Sequence, residues 1–170
     1  MELSTVSTQS TSLEGKYLTF MLAEECYGLQ ILKVQEIIRM MPITRVPHTP
    51  AYIRGVINLR GKVIPVVDLH LKFGIDQIAD TKNTCIVMVQ IQKSEQYSVI
   101  MGIIIDAVRE VTSIKADQIE DVPDFGVNID ISSILGIGKV GGDVKILLNI
   151  DKVLTDHEIT ALNKLAESHL

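Results

Sequence analysis

The sequence is poor in aromatic residues: seven of its 170 residues are Phe or Tyr, and tryptophan is absent. Ile (24) and Val (17) together supply 41 residues, so the core must be mostly aliphatic. This excess of β-branched side chains favours sheet over helix. A chain of this length buries roughly 70% of its unfolded surface and needs neither a disulfide nor a metal to fold. We therefore expect one domain of ordinary size with an aliphatic, strand-rich core.

The chain also has few features of a secreted, membrane or metal-binding protein. Cys26 and Cys85 stand apart in apolar contexts, which predicts two reduced thiols, with a disulfide as the alternative. The four histidines show neither metal-ligand spacing nor an evident set of Cys or carboxylate partners, so we expect no metal and no cofactor. No apolar run approaches the roughly 18 residues of a membrane-spanning helix. Residues 1–14 contain seven Ser or Thr and no signal-peptide core, which predicts a disordered tail on a soluble, cytoplasmic protein.

Net positive charge is lacking as well. The formal net charge is −5, which leaves no basic surplus to neutralise nucleic-acid phosphates. Residues 29–75 nevertheless hold seven Lys or Arg against two acids, Glu36 and Asp68, and so carry +5 while the remainder carries −10. Four of the five arginines fall in this segment: Arg39, Arg45, Arg54 and Arg60. The asymmetry is either a chance fluctuation of surface charge or a docking face, because arginine is enriched at interface cores.

The motifs that could carry catalysis are weak. Gly136, Gly138 and Gly141 match G-x-G-x-x-G, but a strand-like apolar segment follows them where a nucleotide-binding motif needs a helix. This pattern predicts a flexible loop that feeds a hairpin. Asp68 and Asp106 each follow an apolar strand and could serve a small hydrolase, but sequence spacing cannot place them together. Because no phosphate-binding loop is present either, we expect no enzymatic activity.

Short apolar runs separated by turn residues predict a mainly β protein, an all-β barrel or sandwich without regular βα alternation. The predicted strands are residues 16–22, 56–59, 62–69, 85–92, 97–105, 108–114 and 144–150. Residues 31–36 predict a short helix that leads into a strand. Thr155 and Glu158 have capping-box spacing, which predicts a C-terminal helix over residues 156–168 with an apolar stripe.

Four segments resemble the CheW family of bacterial chemotaxis adaptors: ILKVQEI (31–37), VPHTPAYIRGVINLRG (46–61), VIPVVDLHLKFG (63–74) and LLNIDKVL (147–154). The pattern N-L-R-G-x-x-x-P-V-x-D-L at residues 58–69 is the most specific part, and the likeness runs from about Lys16 to the C-terminus. The resemblance implies a single CheW-like domain over residues 15–170. In it, two five-stranded SH3-like β-barrel subdomains surround a shared apolar core, with a short helix near residue 34 and a C-terminal helix. The second barrel would be formed largely from about residues 83–145.

The resemblance also implies a function. CheW-family adaptors couple methyl-accepting chemoreceptors to the histidine kinase CheA in signal transduction to the flagellar motor. The implied partners are the chemoreceptor cytoplasmic hairpin tip, which lies in the groove between barrels, and the regulatory domain of CheA, which contacts the adaptor barrel to barrel. Such an adaptor is a cytoplasmic, non-enzymatic protein recruited to membrane receptor arrays, with no nucleic-acid partner and no direct membrane insertion.

Motif matching, position by position, implies seven receptor-side or groove residues: Val34, Glu36, Gly55, Asn58, Leu59, Arg60 and Gly61. Their chemistry suits the role, because glycine lets the backbone turn tightly and the guanidinium of Arg60 offers a fork to a partner's acid or carbonyl. Glu36 could pair with Arg60 or another arginine and so orient groups for a partner. We expect Arg60→Ala or Gly55→Asp to abolish receptor coupling in a folded protein. For the CheA contacts, the strand ends of either barrel are candidates.

An alternative from another class is a small β-barrel that binds oligonucleotides or another ligand. Such a barrel needs a basic groove and stacking aromatic rings. Only Tyr52 lies within the basic segment, with Phe73 near its end, so this alternative is poorly supported. His70 departs from the family pattern, because family members often have arginine there, and a local contact is therefore in doubt.

Overall fold

Strands dominate the computed structural model, which describes residues 13–76, 79–122 and 131–168, with side chains up to residue 164. The strands are β1 (Gly15–Leu22), β2 (Glu25–Gln30), β3 (Val34–Arg39), β4 (Ile53–Leu59), β5 (Lys62–Asp68), β6 (Cys85–Ser94), β7 (Tyr97–Ile105), β8 (Ala107–Ile114), β9 (Ile119–Glu120), β10 (Ile134–Val140) and β11 (Asp143–Leu148). The helices are α1 (Leu69–Lys72) and α2 (Asp156–Ser168), with 3-10 turns at Ile31–Lys33, Ala116–Gln118 and Ile150–Lys152. No helix in the described parts of the chain is long and apolar enough to cross a membrane.

The strands form two curled sheets, consistent with two SH3-like barrel subdomains. Within the described residues, one sheet has six strands in the order β8-β1-β2-β11-β10-β9 and the other has five in the order β3-β6-β7-β5-β4. We call the first the terminal barrel, since both ends of the chain contribute to it, and the second the central barrel. The predicted mainly β fold with two barrels and a C-terminal helix is confirmed, except that the terminal barrel has six strands where five were expected.

The division of the chain between the barrels corrects the expectation that residues 83–145 form the second barrel. β6 and β7, residues 85–105, belong to the central barrel, whereas β8 to β11 join β1 and β2 in the terminal barrel. Two parallel pairings between distant segments cause this: β5 lies beside β7, and β2 lies beside β11. A hydrophobic pattern shows that a segment is a strand and which face is buried, but it does not show the partner strand.

The alternating side chains of the central strands serve two cores. On β6, Ile86 and Met88 point into the central barrel, whereas Val87, Val89 and Ile91 point into a larger apolar core between the barrels. A strand buried on both faces reads as a continuous apolar run, which is why the sequence of β6 and β7 is so uniformly aliphatic. The shared core receives residues from both barrels, including Leu18, Phe20 and Leu29 from the terminal one. The shared apolar core is thus present as the resemblance implied.

The N-terminal boundary differs slightly from the expected tail of residues 1–14. Leu13 is buried in the core of the terminal barrel with Tyr17. The hydroxyl of Tyr17 donates a hydrogen bond to the Leu13 carbonyl oxygen at 2.6 Å, and burial raises the pKa of Tyr17 to about 12. Residues 1–12 of the expected tail lie outside the described residues.

The short helix expected over residues 31–36 is a single 3-10 turn, Ile31–Lys33, and Val34 already begins β3. The β-branched side chains that follow the turn pair with β6 in an antiparallel ladder, with Val34 opposite Val89. Tertiary pairing therefore overrides the helical spacing of the apolar residues. Strand β2 was not expected, because its Gly28 weakens a strand pattern. That glycine leaves room for Leu147, whose side chain would lie 3.0 Å from an added Cβ.

The glycine-rich segment is part of a hairpin. Gly136 and Gly138 lie within β10, which corrects their assignment to a flexible loop, and Gly141 forms the turn into β11 with φ of +59°. A hairpin of β10 and β11 is present, but it contains these glycines instead of following them. The segment between β8 and β10 contains the short strand β9, and residues 123–130 lie outside the described residues.

The C-terminal helix α2 begins with the predicted capping box. The Thr155 amide donates to Glu158 Oε1 at 2.8 Å, and the Glu158 amide donates to Thr155 Oγ1 at 3.1 Å. Ile159 and Leu162 are buried in the shared core as the apolar stripe predicts. The side chains of residues 165 and 166, assigned to the same stripe, lie outside the described ones.

Glu158 also attaches α2 to the central barrel. The hydroxyl of Tyr52 donates a short hydrogen bond to its carboxylate, and Lys72 Nζ lies 2.9 Å from Oε2. Burial alone would raise the pKa of Glu158, but hydrogen bonds from Thr155, Tyr52 and Lys72 lower it to about 2. The ionised carboxylate is therefore a fixed part of the fold at neutral pH.

Candidate partner-binding site

The hairpin between β4 and β5 presents the most specific part of the family motif. Arg60 and Gly61 form its two-residue turn with φ of +52° and +86°, the pattern of a type I′ turn, whose twist matches that of the flanking strands. The amide of Gly61 donates to Asn58 Oδ1 at 3.0 Å, which fixes the turn. Asn58, Arg60 and Gly61 are exposed, so the hairpin tip is a small polar surface.

A pair of side chains links this tip to the far edge of the same sheet. Glu36 lies on β3 and Arg60 follows β4, and these two strands are the edges of the five-stranded sheet. The Arg60 guanidinium donates to both carboxylate oxygens of Glu36, and the hydrogen bond and negative charge raise the pKa of Arg60. Because 68% of the Arg60 side chain and 38% of the Glu36 side chain remain exposed, the pair adds little to stability and instead orients the guanidinium. The pairing that we considered from the sequence is confirmed.

Gly55 has a structural role beneath this surface. It is buried, with φ of +142°, and a Cβ at this position would collide with the carbonyl group of Thr44 and lie 2.9 Å from Ile43 Cγ2. The absent side chain lets the segment before β4 approach, where Thr44 and Val56 exchange two backbone hydrogen bonds of 2.9 Å. We therefore expect Gly55→Asp to disturb the fold as well as the surface, which argues against a purely surface effect of this variant.

The other expected residues divide between surface and interior. Val34 is half-buried and packs against the shared core, and Leu59 is half-buried and packs against the core of the central barrel. The structure thus brings Glu36, Asn58 and Arg60 together with Gly61 on one surface. A shallow cavity of about 180 Å³ adjoins that surface and is lined by Thr44, Val56, Ile57, Asn58 and Val63. We call Glu36, Asn58, Arg60 and Gly61 the hairpin surface.

A larger cavity of about 540 Å³ lies at the terminal barrel, and its lining shares no residue with the hairpin surface. Tyr27 and Ile146 line it from the terminal barrel, and Lys72, Phe73 and Lys152 line it from the connecting segments. None of the seven expected residues lines this cavity. The sequence analysis missed the cavity, although Tyr27 and Phe73 stand out in a chain with so few aromatic residues.

A buried polar network joins the barrels beside this cavity. His70, on α1, is 2% exposed, with Nδ1 3.0 Å from Asp68 Oδ1 and Nε2 3.0 Å from Asp106 Oδ2. Asp106 connects β7 to β8 and also accepts the amide of Ala23, in the β1–β2 turn, at 2.6 Å. Sequence analysis found no carboxylate partner for a histidine, whereas the fold supplies two. The local contact that was in doubt at His70 is thus a bridge between two aspartates.

This network is not hydrolytic machinery. Both ring nitrogens of His70 contact carboxylates, so neither is free to activate a nucleophile. Arg54 also donates to Asp68 Oδ2 at 3.1 Å. The described residues contain no group of His, Cys, Asp and Glu side chains that could hold a metal ion. Asp68 and Asp106 do come together, as spacing alone could not show, but as parts of an interior bridge.

The structure argues against the alternative that the chain is an oligonucleotide-binding barrel, because residues expected to bind the nucleic acid already have partners within the protein. Arg54 pairs with Asp68 and Asp80, and Arg60 pairs with Glu36, so these two arginines of the basic segment are matched by carboxylates. The ring of Tyr52 lies under Lys72, with Nζ 4.6 Å from its centroid. The candidate ring for base stacking is therefore already covered.

Comparison with known proteins agrees with this architecture. Residues 16–158 match the CheW-like domain. The chain is 36% identical over 168 residues to the chemotaxis protein CheW of Klebsiella aerogenes, covering 98% of both chains, and 34% identical over 139 residues to that of Helicobacter pylori, covering 82% and 81%. The crystal structure of the scaffolding protein TtCheW from Thermoanaerobacter tengcongensis is similar with a TM-score of 0.73 and 38% identity, covering 83% of this chain and 92% of that one.

The relatives that share this fold are named as chemotaxis proteins and as a scaffolding protein, so the class of protein is a chemotaxis scaffold. The chain belongs to the CheW family, as the resemblance in its sequence motifs indicated. Its general role as a protein-binding scaffold in chemotaxis follows from that membership.

Proposed function

We propose that this chain couples chemoreceptors to the histidine kinase CheA, with the hairpin surface contacting the receptor's cytoplasmic tip. The observation that carries the proposal is the bidentate pairing of Arg60 with Glu36, which holds an exposed guanidinium at the apex of a tight turn. A pre-oriented guanidinium fork with half-buried Leu59 beside it is suited to a helical partner that offers a carboxylate or carbonyl and an apolar contact.

The kinase would use a second surface, so that both partners bind at once. Leu32, in the 3-10 turn before β3, is 89% exposed, the highest exposure among the large apolar side chains of the described residues. It lies where the chain passes from the terminal to the central barrel, at a strand end of the kind expected to contact the kinase's regulatory domain. Leu32 offers that domain an apolar anchor separate from the hairpin tip.

The test is a pull-down with two baits used separately: a receptor-tip hairpin and the CheA regulatory domain. Arg60→Ala should weaken receptor binding about tenfold or more, as loss of an interface anchor does, and leave kinase binding unchanged. Leu32→Ser should have the opposite selectivity. Lys62→Ala is the matched control, because it removes an exposed positive charge from the same hairpin. Wild-type binding to neither bait would refute the adaptor proposal, and equal effects of Arg60→Ala and Lys62→Ala would refute the specific role of Arg60.

A further inference from the structure

The terminal barrel holds a thiol beside a buried amine. Lys145, on β11, is 5% exposed, and its Nζ lies 3.8 Å from Sγ of Cys26 on the neighbouring strand β2. Side chains alternate along a strand, so Lys145 faces the same side as Leu147, which belongs to the core of the terminal barrel. Cys26 is only partly buried.

The charge of Lys145 makes this contact unusual. In the described part of the chain, its amine forms no ion pair with a carboxylate, and its one side-chain polar contact is the Cys26 sulfur. Burying an ammonium without an opposite charge is costly. The thiolate form of Cys26 would provide that charge, and the thiolate is the nucleophilic form of cysteine.

The second cysteine provides an internal comparison. Cys85 lies on β6 of the central barrel and packs against the shared core. Burial raises the pKa of its thiol. Cys85 is therefore held in its unreactive form.

We propose that Cys26 is a redox-modification site, activated by Lys145, that reacts with small hydroperoxides. The thiolate sulfur attacks one peroxide oxygen, and an S–O bond forms as the O–O bond breaks. The departing oxygen takes the proton of the Lys145 ammonium and leaves as water or an alcohol. Sulfur loses two electrons to become sulfenic acid, and the peroxide gains them. This site is independent of the adaptor role proposed above.

The first experiment measures the alkylation of each cysteine by iodoacetamide in the full chain at pH 7, read by peptide mass spectrometry. Cys26 should react about tenfold faster than Cys85, and Lys145→Met should slow Cys26 by a similar factor. Lys139→Met is the matched control on the adjacent strand β10, because its exposed amine pairs with Glu120, and it should leave the rate unchanged.

A second arm treats the protein with hydrogen peroxide and traps sulfenic acid with dimedone. The adduct should form on Cys26 and be lost in Cys26→Ser. An adduct on Cys85 alone, or equal alkylation of Cys26 in wild type and Lys145→Met, would overturn the proposal. Cys85 also reports on folding, since faster alkylation there shows that a variant has opened. If Lys145→Met has opened, Lys145→Arg replaces it as the test variant. Arginine keeps the positive charge, so Lys145→Arg should retain fast alkylation of Cys26. A slow rate in folded Lys145→Arg would overturn the proposal.

Discussion

Glu36 and Arg60 lie 24 positions apart in the chain, at opposite edges of one five-stranded sheet, and their side chains form a bidentate ion pair. Curling of the sheet brings the two edges together. The pair keeps the guanidinium of Arg60 in one direction while most of that side chain stays exposed. A long, flexible side chain at a hairpin tip is thus pre-oriented before a partner arrives, which lowers the entropy cost of binding.

Exchanging the two charges of this pair tests whether the receptor recognises the guanidinium of Arg60 itself or only requires an intact ion pair. The double variant Glu36→Arg, Arg60→Glu should fold normally, because the two charges still attract at the same positions. It should not bind a receptor-tip hairpin, because a carboxylate replaces the guanidinium at the apex. Circular dichroism and a receptor pull-down measure the two outcomes. Receptor binding at wild-type strength by the double variant would mean that the sign of the apical charge is irrelevant.

Two glycines of the same hairpin should respond differently to alanine. Gly55→Ala places a Cβ against the Thr44 carbonyl and should lower the free energy of unfolding by more than about 2 kcal/mol. Gly61→Ala also has positive φ but meets open space, so it should cost only about 1 kcal/mol. Urea denaturation of both variants provides the comparison, and equal losses would show that the contact with Thr44 is unimportant.

Glu158 should make the stability of the protein depend on acid pH. Its pKa is about 2 in the folded protein and 4.5 for the ordinary carboxyl, so its contribution is complete above pH 4.5. That contribution is lost as the pH falls from about 4.5 to 2. Glu158→Gln should therefore lower the free energy of unfolding by about 1–2 kcal/mol at pH 7, with the difference from wild type shrinking below pH 4.5.

Denaturant titrations at pH 7, 4 and 2.5 measure this dependence. The control is Asp156→Asn on the same helix, whose carboxylate is 88% exposed and should change stability little at any of these pH values. A difference between wild type and Glu158→Gln that stays constant from pH 7 to 2.5 would contradict the assignment.

His70 should be replaceable by arginine but not by alanine. Alanine removes both ring nitrogens that bridge Asp68 and Asp106 and should destabilise the protein by about 3 kcal/mol, since it leaves carboxylate oxygens in the interior without these partners. Arginine still offers several N–H donors and should cost much less. Urea denaturation ranks the two variants, and equal destabilisation by both would argue against a bridging role.

Local features of the sequence predicted much of the fold. Three predicted features depend only on neighbouring residues, and all three are confirmed. They are the pair of strands within residues 85–105, the two-residue turn at Arg60 and Gly61, and the capping box of α2. The strand β2 and the 3-10 turn at Ile31–Lys33 were misjudged, because pairing with distant strands decided their conformation. Local preference is weak compared with the burial of a strand between two neighbours.

The candidate site was predicted only in part. The motif at residues 58–69 located the hairpin surface, and the charge pattern suggested the partner of Arg60. Burial of Gly55 and half-burial of Val34 could not be read from a motif, because a motif does not distinguish a residue that contacts a partner from one that supports the contact. The cavity at the terminal barrel and the Lys145–Cys26 contact join segments more than 40 residues apart, so neither had a local signal.

The sequence by itself determined a mainly β, aliphatic domain with a charged hairpin, because alternation, turn chemistry and helix capping act over a few residues. The tertiary structure decided which strands share a barrel, which arginines are matched by carboxylates and which histidine is buried. Those outcomes depend on the two parallel strand pairings, which bring the ends of the chain into one barrel and its middle into the other. Such pairings are set by the packing of the whole core and not by any short stretch of residues.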